Sequence, residues 1–284
     1  MKNNARKIFT IMLAAVFFIS TGVIGFKYIE YNSAQEIYDE AVALAELPEI
    51  AVTPEKIAEI VSQASEENEA ATAPDTAAEQ APAEEVKPQK DPYADALASM
   101  DFQTLKEVNS DVIGWIVVPD TKLSYPLVQG TDNQYYLNHT WKKTKNASGA
   151  IFMEHRSNQN LSDFNTIIYG HRMGNSTMFG SLAKYKDLSY WEANPIVNVS
   201  NEEGSYSYLI FAAYDTDVTS DTFRIKFENK KEQQDLIDHA VENSVINTGI
   251  VPGEGSKILT LSTCIGASVK SDTRWVVQAV RVEL

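Results

Sequence analysis

The sequence predicts a mostly β domain, a barrel or sandwich, standing behind a helix long and apolar enough to cross a membrane. Three observations carry that prediction. Short β-rich segments separated by polar turns recur from Ile113 to Val282, the pattern of many short strands that closes into barrels or stacks into sandwiches. An uncharged run from Ile8 to Phe26 follows a basic N-terminus. Between the two lies an acidic stretch nearly empty of large apolar residues.

The apolar run (IFTIMLAAVFFISTGVIGF) has 19 residues, with Lys2, Arg6 and Lys7 before it and Lys27 after it. At about 1.5 Å per residue it spans roughly 28 Å, close to the hydrocarbon thickness of a bilayer. Basic residues ahead of it favour a cytoplasmic N-terminus and an exported remainder. A cleaved signal peptide is the rival reading, but its apolar region is normally about 7–15 residues and ends at a small-x-small site. Here Ser20-Thr21-Gly22 lies inside the run. The lipid bilayer is therefore the first expected partner.

Beyond the run, Ile29, Ile37, Tyr38, Ala41, Leu44 and Ala45 fall near helical spacing, which predicts an amphipathic continuation. Thr53-Pro54 offers an N-cap and a first-turn proline for a short helix through Val61. From Ser65 to Pro92 the chain is Ala, Glu, Pro and Thr with few large apolar side chains. It cannot bury enough surface to offset its ordering entropy, and reads as an acidic spacer holding the next domain off the membrane. The expected division is a cytoplasmic N-terminus at 1–7, an anchor at 8–26, a helical stalk at 27–64, a flexible linker at 65–92 and a folded domain at 93–284.

Within that domain Ala94 to Glu107 reads as a helix, with Leu97, Met100 and Leu105 available to pack. Strands are expected at Ile113–Val118, Tyr125–Val128, Ala150–Met153, Thr166–Tyr169, Ile196–Val199, Tyr206–Tyr214, Thr222–Phe227, Lys257–Thr263 and Arg274–Val282. One long helix interrupts them, from about Lys231 to Asn247. It places Leu236, Ile237, Ala240, Val241 and Val245 on one face, with Gly249 as its C-cap.

Bulk numbers exclude some function classes. A formal charge of -15 argues against a nucleic-acid partner, which needs a basic surface to neutralise phosphates. Cys264 is the only cysteine, so no disulfide forms within the chain, and His139, His155, His171 and His239 show no metal-ligand spacing. No metal site is expected. An unpaired cysteine in an exported chain is either a small core hydrophobe or a reactive thiol.

Three predicted strand ends hold the chemistry. Thr166–His171 (TIIYGH) is an apolar run ending in Gly170-His171, and Leu259–Cys264 (LTLSTC) ends in the cysteine. Arg274 opens the last strand ten positions later, a spacing that suits a strand end, a loop and an adjacent antiparallel strand. A cysteine of pKa about 8.5 is only a few per cent thiolate at neutral pH, and a nearby cation raises that fraction. The thiolate attacks a carbonyl, an imidazole protonates the leaving amine, and a cation holds the oxyanion. Taken singly, each residue has a plain alternative as a core thiol, a structural imidazole or a surface charge.

Leu261-Ser262-Thr263-Cys264, with Arg274 downstream and Tyr169-Gly170-His171 upstream, resembles the signature of the sortases, cysteine transpeptidases of Gram-positive bacteria. The segments Asn109–Ile116, Tyr125–Gln129, Asp132–Leu137, Gly149–Met153 and Asn165–Phe179 are similar to class B members, so the likeness runs from about Tyr93 to Leu284. It implies an eight-stranded sortase β-barrel with N-terminal helices and a long helix before the cysteine strand. It also implies roles: Cys264 as nucleophile forming a thioester with the substrate threonine, His171 as acid and base, and Arg274 on the oxyanion or the substrate. Ser262, Thr263, Tyr169 and Asn133 are the candidate substrate-binding residues, although the Ser262 hydroxyl serves strand-end packing equally well.

The implied partners are secreted proteins bearing a C-terminal sorting motif of the NPQTN or (S/N)PxTG kind, with a peptidoglycan-precursor or pilin amine as acceptor. The implied location is the cell membrane with the barrel outside, and no cofactor or calcium is implied. Ile265-Gly266 departs from class B members that carry a polar or acidic residue after the cysteine. A thiol peptidase that gives its acyl group to water uses the same residues. A wall-binding or pilus-scaffold module with an inert thiol is the non-catalytic alternative. A papain-like protease fits poorly, because its cysteine precedes its histidine.

Overall fold

Eight strands close on themselves in the computed structural model, which describes residues 2–45, 97, 100–264 and 272–282, with the backbone alone for residues 2–11, 24, 26, 27, 31 and 264. The strands are β1 (Val112–Val117), β2 (Ser124–Val128), β3 (Ile151–Met153), β4 (Asn165–His171), β5 (Ile196–Asn201), β6 (Gly204–Asp217), β7 (Ile258–Cys264) and β8 (Thr273–Val282). Around the barrel they run β1-β2-β3-β4-β7-β8-β6-β5. The β2–β3 and β4–β7 pairs are parallel and the others antiparallel. Closure removes the free edges that would otherwise template aggregation. The middle strands read as nearly continuous apolar runs because both faces are covered, one by the barrel interior and one by helices and loops.

Among the described residues four α-helices accompany the barrel: α1 (Lys2–Ala45), α2 (Phe102–Val108), α3 (Leu188–Ala193) and α4 (Lys230–Asn243). Of the helix expected over Ala94–Glu107, Leu97 is helical, the chain is out of the helix at Met100 and Asp101, and α2 begins at an N-cap where Asp101 accepts from the Gln103 N–H at 2.9 Å. Residues 94–96, 98 and 99 lie outside the described chain, as does the helix expected from Thr53. α4 stops at Asn243 rather than Asn247. The Ser244 hydroxyl accepts from the Ala213 N–H, and the Val245 N–H donates to the Ala213 carbonyl at 2.8 Å. β6 thus draws the chain out of the helix, Val245 is exposed, and Gly249 (φ +73°) belongs to a later turn.

The segment Thr222–Phe227, expected as a strand, is instead a 3-10 turn at Asp221–Phe223 and irregular chain. A buried polar network holds it there. Asn165 Nδ2 donates to the carbonyls of Thr222 and Arg224, Thr260 donates to Asn165, Gln278 to Thr260, and Tyr214 to Gln278. The network spans β4, β7, β8 and β6 and satisfies polar groups that burial would otherwise penalise. The same turn carries Phe223 into the cleft described below.

Helix α1 joins the apolar run to the barrel without a break. It is the one helix among the described residues long and apolar enough to cross a membrane. Ala34, Tyr38, Ala41 and Ala45 recur at steps of three and four and are buried against the barrel. The Tyr38 hydroxyl donates to Gly149 O at 2.6 Å, Trp141 Nε1 donates to Ile37 O at 3.1 Å, and Lys142 pairs with Glu40 at 2.7 Å. The attachment precedes residues 65–92 in the sequence, and the spacer expected there lies outside the described residues. Removing α1 is expected to cost about 2–4 kcal/mol of burial and hydrogen bonding. A 93–284 fragment then melts roughly 5–15 °C below a 28–284 fragment; equal melting temperatures would contradict the docking.

Candidate active site

Parallel pairing of β4 with β7 assembles the site. The register runs from Asn165 opposite Ile258 to His171 opposite Cys264. Neighbouring strands lie about 4.8 Å apart, so two strand ends distant in sequence finish side by side. β8 returns antiparallel to β7, which brings Arg274 back to the same end, where Thr216 of β6 faces it in register. The three residues that the sequence marked therefore share one rim of the barrel.

His171 is 8% exposed, and its Nε2 lies 2.6 Å from the Leu137 carbonyl. A carbonyl only accepts, so Nε2 carries the proton and Nδ1 is the basic nitrogen of the neutral ring. Gly149 lets the loop approach this closely. It sits at φ +59°, and a Cβ there would lie 2.6 Å from Tyr136 O and 3.0 Å from His171 Cδ2. Because the Gly149 carbonyl is the one that Tyr38 holds, α1 braces the loop that confines the histidine.

A cleft of about 440 Å³ opens at this rim. Asn133, Glu154, Arg156, Tyr169, Ser262 and Arg274 supply its polar lining, and Leu137, Phe152, Val218 and Phe223 its apolar walls. Such a mixture suits an extended peptide, with apolar area for burial and a few fixed polar groups for orientation. Of the four candidate substrate-binding residues, Asn133, Tyr169 and Ser262 line it. Thr263 does not, and its hydroxyl donates instead to the Trp275 carbonyl on β8 at 3.1 Å. Cys264 ends β7 two positions beyond Ser262. Arg274 donates through Nη1 to the Thr273 carbonyl at 3.1 Å.

Glu154 escaped the sequence reading. Its carboxylate is 1% exposed, follows β3 directly and collects donors from Asn133, Tyr169 and Arg156. Burial works to raise its pKa, but the hydrogen bonds from Arg156 and Asn133 outweigh it and hold the carboxyl below the ordinary glutamate range. The stabilisation from this shift is complete above the ordinary glutamate pKa and is lost as pH falls through the depressed one. The available signal was an acidic residue closing an apolar strand, Ile151-Phe152-Met153-Glu154. Among the described residues, no cluster of His, Asp and Glu is arranged to hold a metal ion.

A family profile described as a sortase domain matches residues 116–282. Sortase B of Staphylococcus aureus (strain NCTC 8325 / PS 47) is 36% identical over 178 residues, covering 63% of this chain and 73% of that protein. The structure of a Staphylococcus aureus sortase B–substrate complex superposes with a TM-score of 0.62 at 36% identity, over 64% of this chain and 85% of the other. A sortase B complexed with triglycine matches with a TM-score of 0.61 at 36% identity, over 64% and 86%.

Proposed function

The chain belongs to the sortase family of cysteine transpeptidases, and we propose that Cys264, His171 and Arg274 carry its reaction. The observation that supports this most is the parallel register that sets His171 opposite Cys264, with Arg274 in the cleft beside them.

The steps balance on these groups. The Cys264 thiolate attacks the carbonyl carbon of a substrate threonine, and the Arg274 guanidinium holds the resulting oxyanion. His171, protonated at Nδ1 as well as Nε2, gives the Nδ1 proton to the departing amine as the peptide bond breaks. A thioester remains. An incoming amine attacks it, Nδ1 takes the proton released, and a new amide leaves as Cys264 departs. Leu137 O keeps Nε2 protonated throughout, so one nitrogen does all the shuttling.

The substrate reading is a secreted protein with a C-terminal motif of the NPQTN or (S/N)PxTG kind, cut after threonine. The relative solved with its substrate supports a peptide in this cleft, and the relative complexed with triglycine supports a small peptide amine as acceptor. The acceptor on this reading is the amine of a peptidoglycan precursor or a pilin. The location reading is a single-pass anchor at 8–26 with its N-terminus in the cytoplasm and residues 93–284 as the catalytic domain outside. The apolar length of α1 and the basic residues ahead of it support that orientation.

A peptide panel tests the motif. The full-length chain in detergent is incubated with NPQTN and (S/N)PxTG peptides and a glycine-peptide amine, and products are resolved by mass. Cleavage after threonine with amide product is expected. Free acid alone under abundant amine would mark a hydrolase, and no product from any motif would count against the substrate reading.

A further inference from the structure

Two loops confine His171, and one side chain of α1 reaches both. The first loop leads into β3. A Cβ on Gly149 would lie 3.0 Å from His171 Cδ2 and 2.8 Å from Leu137 O, the carbonyl that Nε2 faces, so the glycine is wedged against the imidazole and its acceptor. The Gly149 carbonyl accepts from the Tyr38 hydroxyl at 2.6 Å. The second is the hairpin after β4, closed by a bridge between Arg172 and Met178. The Phe179 N–H donates to the His171 carbonyl at 2.9 Å, and the Met178 N–H donates to the Tyr125 hydroxyl at 2.9 Å. Met178 sits at φ +52°, a conformation that a methionine keeps only where its surroundings hold it.

Tyr38 connects the two. Its ring meets that of Tyr125 edge to face with centroids 5.1 Å apart, and Ala34 and Gln35 of α1 line a narrow gap with Met173, Asn175 and Met178 of the hairpin. Tyr38 is 4% exposed. A phenol of ordinary pKa about 10 keeps its proton at neutral pH, and a carbonyl only accepts, so that single proton is committed to Gly149. Another tie between α1 and the barrel ends elsewhere. Trp141 Nε1 donates to Ile37 O from a turn eight positions before Gly149. Docking of the helix and seating of Gly149 therefore rest on different side chains and can be separated by substitution.

We propose that Tyr38 is a positioning residue for His171: from α1 it seats Gly149 and Tyr125, and through them it holds the imidazole where Nδ1 gives and takes the proton. This rests on the reading of His171 as the proton shuttle. It adds to that site a residue outside the barrel, on the same helix that carries the apolar run.

The test compares Tyr38→Phe with Trp141→Phe in the full-length chain in detergent. The first removes one hydroxyl and keeps the ring. The second removes the other α1 bond and measures what loosened docking does by itself. Both are assayed at a temperature where their melting curves show them folded, with the motif peptide that wild type transfers best and a glycine-peptide amine. Tyr38→Phe is expected to lose roughly 10–100-fold in kcat with KM within about twofold of wild type, while Trp141→Phe keeps kcat within about threefold. A second readout needs no transfer. The His171 Cε1–H resonance, identified as the one missing in His171→Gln, is expected to move or broaden in Tyr38→Phe and to hold its place in Trp141→Phe. Should wild type transfer no peptide, the reading of His171 as shuttle falls, and the resonance alone decides whether Tyr38 seats the ring. Wild-type kcat in Tyr38→Phe overturns the proposal. So does an equal loss of kcat in both variants, or a His171 resonance that Tyr38→Phe leaves unmoved.

Discussion

Cys264→Ala is expected to leave peptide transfer at background, a loss of roughly 10⁴-fold or more. The chain holds no second cysteine, and an unactivated hydroxyl such as that of Ser262 is a far weaker nucleophile than a thiolate at neutral pH. Removing the sulfur therefore removes the acyl intermediate rather than slowing one step. The fold should persist, because β7 is held on both sides by β4 and β8 through residues before position 264. A melting temperature within a few degrees of wild type, together with absent product, is the expected pair of results. Residual transfer within tenfold of wild type would move the nucleophile elsewhere.

Arg274→Lys is the second large effect. The guanidinium presents a planar set of donors of fixed geometry, whereas an ammonium is a compact, strongly hydrated charge on a flexible stem. If Arg274 holds the oxyanion, its contribution is concentrated in the transition state. The expected loss is then about 10²–10³ in kcat, or about 2.7–4 kcal/mol, with a smaller change in KM. β8 should not unravel, since Val276 to Val280 are buried and paired on both sides. Steady-state kinetics on one motif peptide separates the roles. A rise in KM with kcat intact would assign Arg274 to substrate positioning alone.

Much of this site was legible because its residues close apolar runs. TIIYGH and LTLSTC each end a segment that burial makes continuous, and the proposed catalytic residues His171 and Cys264 sit at the strand ends. The pairing of those segments was not legible. A parallel ladder between β4 and β7 needs a long crossover, here occupied by α3, β5, β6 and α4, and local sequence does not encode which distant strand lies alongside. The resemblance to sortases supplied that link before the geometry did.

The misses have physical causes as well. Thr222–Phe227 has the composition of a strand, but Asn165 captures its carbonyls from across the barrel, a tertiary override of local preference. The long helix reads through to Asn247 on propensity alone, yet β6 takes Ser244 and Val245. In α1 the stripe of Tyr38, Ala41 and Ala45 was visible in the spacing, while its seat on Gly149 and Trp141 was not. Glu154 was overlooked because a lone acid after a strand is usually solvated. Only the fold shows that Asn133 and Tyr169 converge on it.

The most direct test of the account is intact-protein mass spectrometry of the full-length chain in detergent, mixed with a motif peptide before and after a glycine-peptide amine is added. The account predicts an acyl adduct that maps to Cys264, accumulates without amine, and passes to the amine as a new amide when it is added. An adduct on any other residue, or cleavage with no adduct and no transfer, would contradict it.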